Sequence, residues 1–114
     1  MLVVDDNEDA ATTLALVLEA RGHHVTTVGD GTQALEAVEE QHPDVVLLDL
    51  GLPGLSGYQV AEHLRSSGHA DLRIIAVSGY GQPEDVARAR AAGCDAHLAK
   101  PVDLAALERL LEAA

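Results

Sequence analysis

Five side chains that could bind a cation or a phosphoryl group follow short apolar segments in this sequence. They are Asp5, Asp6, Asp49, Ser78 and Lys100. Asp49 ends the apolar run 45–48 and precedes a loop rich in Gly and Pro. A short apolar run is typical of a strand buried on both faces, and the glycines let the loop backbone approach a small ligand closely. Asp49 is therefore the best candidate for the centre of a site.

These residue types favour phosphoryl chemistry at a metal ion. Neighbouring carboxylates repel one another, so one of them takes up a proton unless a cation binds between them. Oxygen ligands without His or Cys favour a hard divalent ion, Mg²⁺ first, with Mn²⁺ or Ca²⁺ as substitutes. An Asp carboxylate can also attack a phosphoryl group and form an aspartyl phosphate. The Lys100 ammonium would then neutralise one phosphoryl oxygen, and the Ser78 hydroxyl would hydrogen-bond another.

The chain as a whole alternates apolar strands with amphipathic helices. The predicted strands cover residues 2–6, 24–28, 44–49, 72–78 and 96–99. A helix follows each strand, and its start is marked by Asn7, Asp30, Ser56, Pro83 or Asp103. Five such units predict an α/β fold, a doubly wound, flavodoxin-like, five-stranded parallel sheet in the order 2-1-3-4-5 with five helices. This order brings the five candidate side chains to one edge of the sheet.

Length and composition exclude several classes of function. The chain has 114 residues, 47% of them hydrophobic, which suits one domain covering residues 1–114. Its net charge of −12 argues against direct contact with nucleic acid and favours binding of a hard cation. No apolar run reaches the roughly 18 residues of a membrane span, so we expect no membrane contact by this domain. The single cysteine, Cys94, rules out an intrachain disulfide, and we expect a cytoplasmic location in a bacterium.

Four short motifs occur in order along the chain. They are VVDDN at residues 3–7, LDLGLP at 48–53 with Gly57, VSG at 77–79 and KP at 100–101. In this order and at this spacing, they resemble the receiver domain of response regulators in two-component signal transduction. The resemblance covers essentially the whole chain and implies a conformational switch that is driven by phosphorylation.

The resemblance assigns roles to the acidic residues. Asp49 is the implied phosphoacceptor, which takes the phosphoryl group from a phosphohistidine on a sensor histidine kinase or a histidine phosphotransfer protein. Asp6, Asp49 and the Gly51 backbone carbonyl match the family's Mg²⁺ ligands, and Asp5 assists them. As a receiver, the domain would catalyse only its own phosphorylation and dephosphorylation.

The resemblance also implies a switch. Ser78 is the hydroxyl that moves toward the phosphoryl group, and Lys100 is the cation, with a cis peptide bond to Pro101. The family commonly has Tyr or Phe at the position of His97. We interpret His97 as a half-buried edge residue, with pH-sensitive signalling as the alternative hypothesis. The switch would change the surface formed by the fourth helix, fifth strand and fifth helix. A homodimer would form through this surface.

Two other functions compete with this interpretation. A Mg²⁺-dependent phosphatase with an Asp nucleophile typically carries a second Asp two residues later, where this chain has Gly51. A pseudo-receiver that only binds other proteins would not need the site residues.

The parent protein is a separate question. The chain enters a strand directly after Met1, so we expect a domain cut from a longer protein. The loop 51–53 and the turn 78–80 resemble receivers at the end of hybrid sensor histidine kinases, which would associate the parent with a membrane. A single-domain regulator and a DNA-binding regulator are the alternatives.

Overall fold

The computed structural model describes residues 1–79 and 83–112. Tyr80, the last residue of the turn that resembles hybrid kinases, lies outside the described residues. The strands are β1 (Leu2–Val4), β2 (Thr26–Val28), β3 (Val45–Asp49), β4 (Arg73–Ser78) and β5 (Ala96–Ala99), and the helices are α1 (Glu8–Ala20), α2 (Gly31–Gln41), α3 (Gly57–Ser66), α4 (Pro83–Ala92) and α5 (Leu104–Glu112). In these ranges, the helices are too short or too polar to cross a membrane.

All five strands run parallel and pair in the order β2-β1-β3-β4-β5. The predicted fold class, a doubly wound α/β sheet of five strands with five helices, is confirmed. Val4 of β1 lies beside Leu48 of β3, and Asp49 lies beside Val77 of β4. Ser78 follows Val77 and pairs with the last residue of β5. This register aligns the strand ends from which the candidate side chains project.

Alternate residues of the strands fill two apolar cores, one on each face of the sheet. Val46, Leu48 and Ile74 pack with residues of α2, α3 and α4. Leu47 and Ile75 pack on the other face with residues of α1 and α5. All five side chains are at most 2% exposed. The central strands are thus buried on both faces, and they give the loops at their carboxyl ends a rigid support.

The predicted helix caps are present. Asn7 and Asp30 each accept a hydrogen bond from the backbone N–H of the third residue after them. Ser56 and Gln59 form the predicted capping box, and Asp103 accepts a hydrogen bond from the N–H two residues later. Each cap satisfies backbone donors that lack a partner within the helix. The local residues therefore determine where these helices begin.

Four predicted strands are shorter in the structure than in the sequence analysis. β1 ends at Val4, so Asp5 and Asp6 lie in the loop that follows it. β2 begins at Thr26 rather than at residue 24, because it pairs only with the three residues of β1. β3 and β4 each begin one residue later than predicted. The corrections concern the strand ends and leave the order of elements unchanged.

Gly57 begins α3 at a point where the helix passes very close to the end of β3. A Cβ atom there would lie 2.5 Å from the Asp49 carbonyl oxygen and 2.7 Å from the Leu50 Cα. Both are backbone atoms that cannot rotate away, so only glycine fits without a shift of the chain. This contact sets the path of the loop 50–56 beside Asp49.

Replacement of Gly57 by Ala should therefore destabilise the domain by about 1–3 kcal/mol, the usual cost of overpacking. Urea denaturation measures the change. Gly29→Ala is the matched control, because a Cβ at Gly29 meets only the Gln33 Oε1 atom at 3.9 Å. The control should stay within about 0.5 kcal/mol of wild type. Equal stabilities for the two variants would contradict the steric argument.

Candidate functional site

Asp49, the last residue of β3, is the one buried charged residue among those that the structure describes, with 7% of its surface exposed. Its Oδ1 accepts a 2.9 Å hydrogen bond from the Gly51 N–H. Its Oδ2 accepts a 2.9 Å hydrogen bond from the Lys100 ammonium. A buried carboxylate needs such partners because the loss of hydration disfavours its charge. Asp49 is consequently held in a defined orientation, with both oxygens engaged.

Asp5 and Asp6 reach the same place from the loop after β1. Asp5 Oδ1 accepts a 2.9 Å hydrogen bond from the Asn7 N–H. Asp5, Asp6 and Asp49 each place a carboxylate oxygen within 4.8 Å of the other two. Asp6 is exposed, so the cluster opens to solvent on that side. The chemistry of this donor set, oxygen only and acidic, fits a hard divalent cation.

Lys100 follows β5 and supplies the positive charge of the cluster. Its Nζ lies 2.9 Å from Asp49 Oδ2 and 3.6 Å from Asp5 Oδ2. Burial alone would lower the pKa of Lys100, but the hydrogen bond to Asp49 and the charges of Asp49 and Asp5 outweigh burial and raise it. Lys100 therefore stays protonated at neutral pH. Its peptide bond to Pro101 is cis.

Burial and the neighbouring charges act together on the pKa of Asp5. Burial raises the pKa of Asp5 by disfavouring its charged form, and the Asp49 charge adds to this effect. The Asn7 N–H and the Lys100 ammonium act in the opposite direction, yet the pKa remains above its ordinary value. A further positive charge at this point would relieve the repulsion.

Ser78, at the end of β4, is joined to its neighbours through the backbone. The Leu50 N–H donates a 3.0 Å hydrogen bond to the Val77 carbonyl, and the Lys100 N–H donates one of 2.8 Å to the Ser78 carbonyl. The Ser78 hydroxyl oxygen lies 2.8 Å from His97 Nε2 on β5. The sequence does not predict this contact, because no local pattern specifies the register between β4 and β5.

A cleft of about 760 Å³ opens beside Asp5, Asp49 and Lys100. Its other walls are mostly apolar and include Leu14 and Val17 of α1. The cleft gives a reactant access to Asp49, although Asp49 itself is almost completely covered.

The structure thus brings four of the predicted site residues, Asp5, Asp6, Asp49 and Lys100, into one cluster. Ser78 lies at the end of the neighbouring strand, and His97 is connected to it. Gly51 contacts Asp49 through its N–H.

Replacement of Asp5 by Asn is expected to stabilise the metal-free domain. Folding raises the pKa of the Asp5 carboxyl above its value in the unfolded chain, near 3.8. Protonated Asp5 therefore stabilises the wild-type fold below pH 3.8. This stabilisation is lost as the pH rises through the pKa of Asp5 in the folded domain. The variant does not lose stability in this way, so the difference in Tm between the variant and wild type should increase from acid to neutral pH.

Thermal unfolding in buffers that contain a chelator tests this expectation. Asp71→Asn, which removes an exposed carboxylate before β4, is the control, and its Tm relative to wild type should not increase with pH. A variant less stable than wild type at neutral pH would show that Asp5 stabilises the metal-free fold.

Comparison with known proteins agrees with the geometry. Residues 1–112 match the model of the response regulator receiver domain family. The DNA-binding response regulator MtrA of Mycobacterium tuberculosis is 41% identical over 101 residues, which cover 89% of this chain and 43% of MtrA. The CAI-1 autoinducer sensor kinase/phosphatase CqsS of Vibrio cholerae is 33% identical over 105 residues, which cover 90% of this chain and 15% of CqsS. The chain therefore spans less than half the length of these two relatives.

A solved structure supports the same assignment. The complex of the histidine phosphotransfer protein Ypd1 with the receiver domain of Ssk1, from Saccharomyces cerevisiae, contains a chain that superposes with a TM-score of 0.89 at 26% identity. The superposition covers 96% of this chain and 83% of that one. The chain belongs to the response regulator receiver domain family of two-component signal transduction.

Proposed function

We propose that the domain accepts a phosphoryl group on Asp49 from a phosphohistidine and acts as a phosphorylation-dependent switch. The observation that carries this proposal is a buried carboxylate with an ammonium group at 2.9 Å and two further carboxylates within 4.8 Å. A structural ion pair needs only one acid and one base. Burial and the neighbouring Asp49 disfavour the charged form of Asp5 and raise its pKa, so the cluster favours a ligand that brings positive charge.

The transfer exchanges one bond for another. An Asp49 oxygen attacks phosphorus, the O–P bond forms, and the P–N bond to the donor imidazole breaks, with the electron pair leaving on nitrogen. Negative charge spreads over the phosphoryl oxygens in the transition state, so catalysis depends mainly on position and compensating charge. The Gly51 N–H orients Asp49, and Lys100 provides a fixed positive charge beside it.

Asp5, Asp6, Asp49 and the Gly51 carbonyl would hold Mg²⁺, or Mn²⁺ or Ca²⁺ in its place. The donor set fits such an ion, because it is entirely oxygen, strongly acidic and open to solvent at Asp6. Bound there, the ion would offset the carboxylate charges and stabilise charge on the phosphoryl oxygens.

In the switch, the Ser78 and Lys100 side chains would exchange their present hydrogen-bond partners for phosphoryl oxygens. In the free domain, Lys100 is bonded to Asp49, and the Ser78 hydroxyl contacts His97. A phosphoryl group on Asp49 offers new acceptors to both side chains, and it would shift the population between two packed arrangements. The surface of α4, β5 and α5 adjoins these residues, so it would carry the signal, with homodimerisation as one output.

The relatives indicate which phosphodonor and which kind of parent protein to expect. Ypd1 forms a complex with the receiver of Ssk1, and we infer a sensor histidine kinase or a histidine phosphotransfer protein as the phosphodonor here. MtrA is a DNA-binding regulator and CqsS is a sensor kinase. We propose that residues 1–114 form one receiver domain of such a cytoplasmic regulator or hybrid kinase. Contact with DNA or a membrane would then belong to another domain.

Labelling tests the phosphoacceptor directly. The domain, in Mg²⁺, is incubated with a radiolabelled phosphotransfer protein or with radiolabelled acetyl phosphate. Wild type should retain label that Asp49→Asn loses completely, because Asp49 is the carboxylate of the cluster that is buried and hydrogen-bonded to the Lys100 ammonium. Asp44→Asn, an exposed carboxylate at the other end of β3, should label like wild type.

The rival functions give different results in the same experiment. Release of inorganic phosphate at many turnovers without a labelled protein would indicate a phosphatase. Absence of both label and release with several donors would indicate a module that only binds other proteins. Label on Asp49→Asn would place the phosphoacceptor elsewhere.

Metal binding should raise the stability of the domain. Mg²⁺ at about 100 times its dissociation constant should stabilise the fold by about 2.7 kcal/mol, and thermal unfolding measures this increase. Asp6→Asn should abolish most of the Mg²⁺-dependent rise in Tm, because it removes a ligand. Asp9→Asn changes the net charge equally, so it should keep the rise. The same loss in both variants would mean that Mg²⁺ acts through general charge screening.

A further inference from the structure

The cleft beside Asp49 is much larger than a phosphoryl group. Its volume of about 760 Å³ lies within the range of roughly 300–1,000 Å³ that is typical of small-molecule sites. Asp5, Asp49 and Lys100 line it together, so the cleft is continuous with the candidate site. A phosphoryl group with a small leaving group would fill only the part next to these residues. The remaining space is therefore available to the rest of a phosphodonor.

One wall of the cleft follows α1 away from the acidic cluster. Ala10, Thr13, Leu14 and Val17 line it, and residues at this spacing share one face of a helix. From Ala10 to Val17 the helix rises by about 10 Å, which is enough to accommodate an extended chain of several carbons. Leu14 and Val17 are only half-buried, so part of their apolar surface is open to a ligand.

The opposite wall and the base of the cleft are apolar as well. Val102 and Leu104, where α5 begins, line the opposite side and are also half-buried. Val3 of β1 and Leu47 of β3 line the cleft from the sheet. An aliphatic chain that covered these side chains would remove apolar surface from water. A sugar or nucleoside would instead leave hydrogen-bonding groups unpaired against such walls.

We propose that this cleft binds the acyl chain of a small phosphodonor, so that the domain prefers acyl phosphates with a medium-length aliphatic chain to acetyl phosphate. The inference rests on the proposed phosphoacceptor function and deepens it by naming a class of donor. The phosphoryl group would lie at Asp49, with Lys100 and the proposed cation as its compensating charges. The chain would lie between α1 and the start of α5.

The transfer from an acyl phosphate requires no proton, because the leaving carboxylate is a weak base. An Asp49 oxygen attacks phosphorus and forms the new O–P bond. The O–P bond to the acyl group breaks, and its electron pair leaves on the carboxylate oxygen. Acetyl phosphate and hexanoyl phosphate release carboxylates of the same type, so their intrinsic reactivities are matched. A difference between their rates therefore measures the contact of the longer chain with the protein.

Initial rates of label uptake from radiolabelled acetyl phosphate and hexanoyl phosphate test the preference. They are measured in Mg²⁺, at donor concentrations where the rate is proportional to concentration. Wild type should favour hexanoyl phosphate by about ten- to twentyfold, the gain expected from burial of about two of the added methylene groups. Equal rate constants for the two donors overturn the inference.

A pair of neighbouring variants on α1 locates the effect. Val17→Phe fills the cleft, so it should lower the ratio of the two rate constants by about fivefold or more. Leu16→Phe is the matched control and should keep the wild-type ratio, because Leu16 is 64% exposed and lies outside the walls of the cleft. The ratio is taken within each variant, so a general loss of activity cancels, and thermal unfolding verifies that both variants fold. An equal change of the ratio in both variants, or in neither, overturns the role of the cleft.

Hexylphosphonate provides a measurement that needs no transfer, because its P–C bond prevents loss of the phosphoryl group. In nuclear magnetic resonance spectra recorded in Mg²⁺, it should shift the methyl signals of Leu14 and Val17 and leave those of Leu16 in place. Methylphosphonate should shift none of them. Unshifted signals of Leu14 and Val17 overturn the binding of the chain in the cleft. Failure of Asp49 to take up label from any donor, with these shifts present, overturns the phosphoacceptor function instead, so the two failures can be told apart.

Discussion

The ion pair between Asp49 and Lys100 holds this molecule's candidate site together. The two residues lie at the ends of β3 and β5, which are separated in the sheet by β4. Lys100 spans that gap with a 2.9 Å bond to a carboxylate that is almost fully buried. The backbone supports it, because the Lys100 N–H donates to the Ser78 carbonyl at the end of β4. Without this ammonium, Asp49 would be a buried charge with only a peptide N–H beside it.

Asp5 and Asp6 add negative charge beside the ion pair of Asp49 and Lys100. Asp5 lies 3.6 Å from Lys100, and burial still raises the pKa of its carboxyl. A sequence selected only for stability would replace one acid by a neutral side chain. Here the acidic side chains lie together at the carboxyl ends of the strands. Interior side chains of the sheet, such as Leu47 and Leu48, are at most 2% exposed. The stability of the well-packed core lets the protein keep these acids in an arrangement that suits a cation and a phosphoryl group.

The sequence predicts this fold well wherever its signals are local or belong to a family pattern. Helix starts follow from caps such as Asn7 and Ser56, and the strand order follows from the fold class and from the resemblance to receivers. Strand limits were predicted less well, since the length of β2 depends on its pairing with β1. The contact of Ser78 with His97 could not be predicted, because it requires the register of two strands that are separated by a helix.

Two arginines bond the amino ends of β4 and β5, at the opposite end of these strands from the candidate site. Among its acceptors, Arg65 of α3 bonds the Leu72 carbonyl before β4, the Gly93 carbonyl before β5 and the Asp95 carboxylate, at 2.7 to 2.9 Å. On the other face, Arg73 donates to the Leu110 and Leu111 carbonyls near the end of α5. The amino end of β4 is therefore bonded to helices on both faces, and that of β5 is bonded to α3. The proposed switch would therefore act at the carboxyl ends, where Ser78 and His97 connect the two strands.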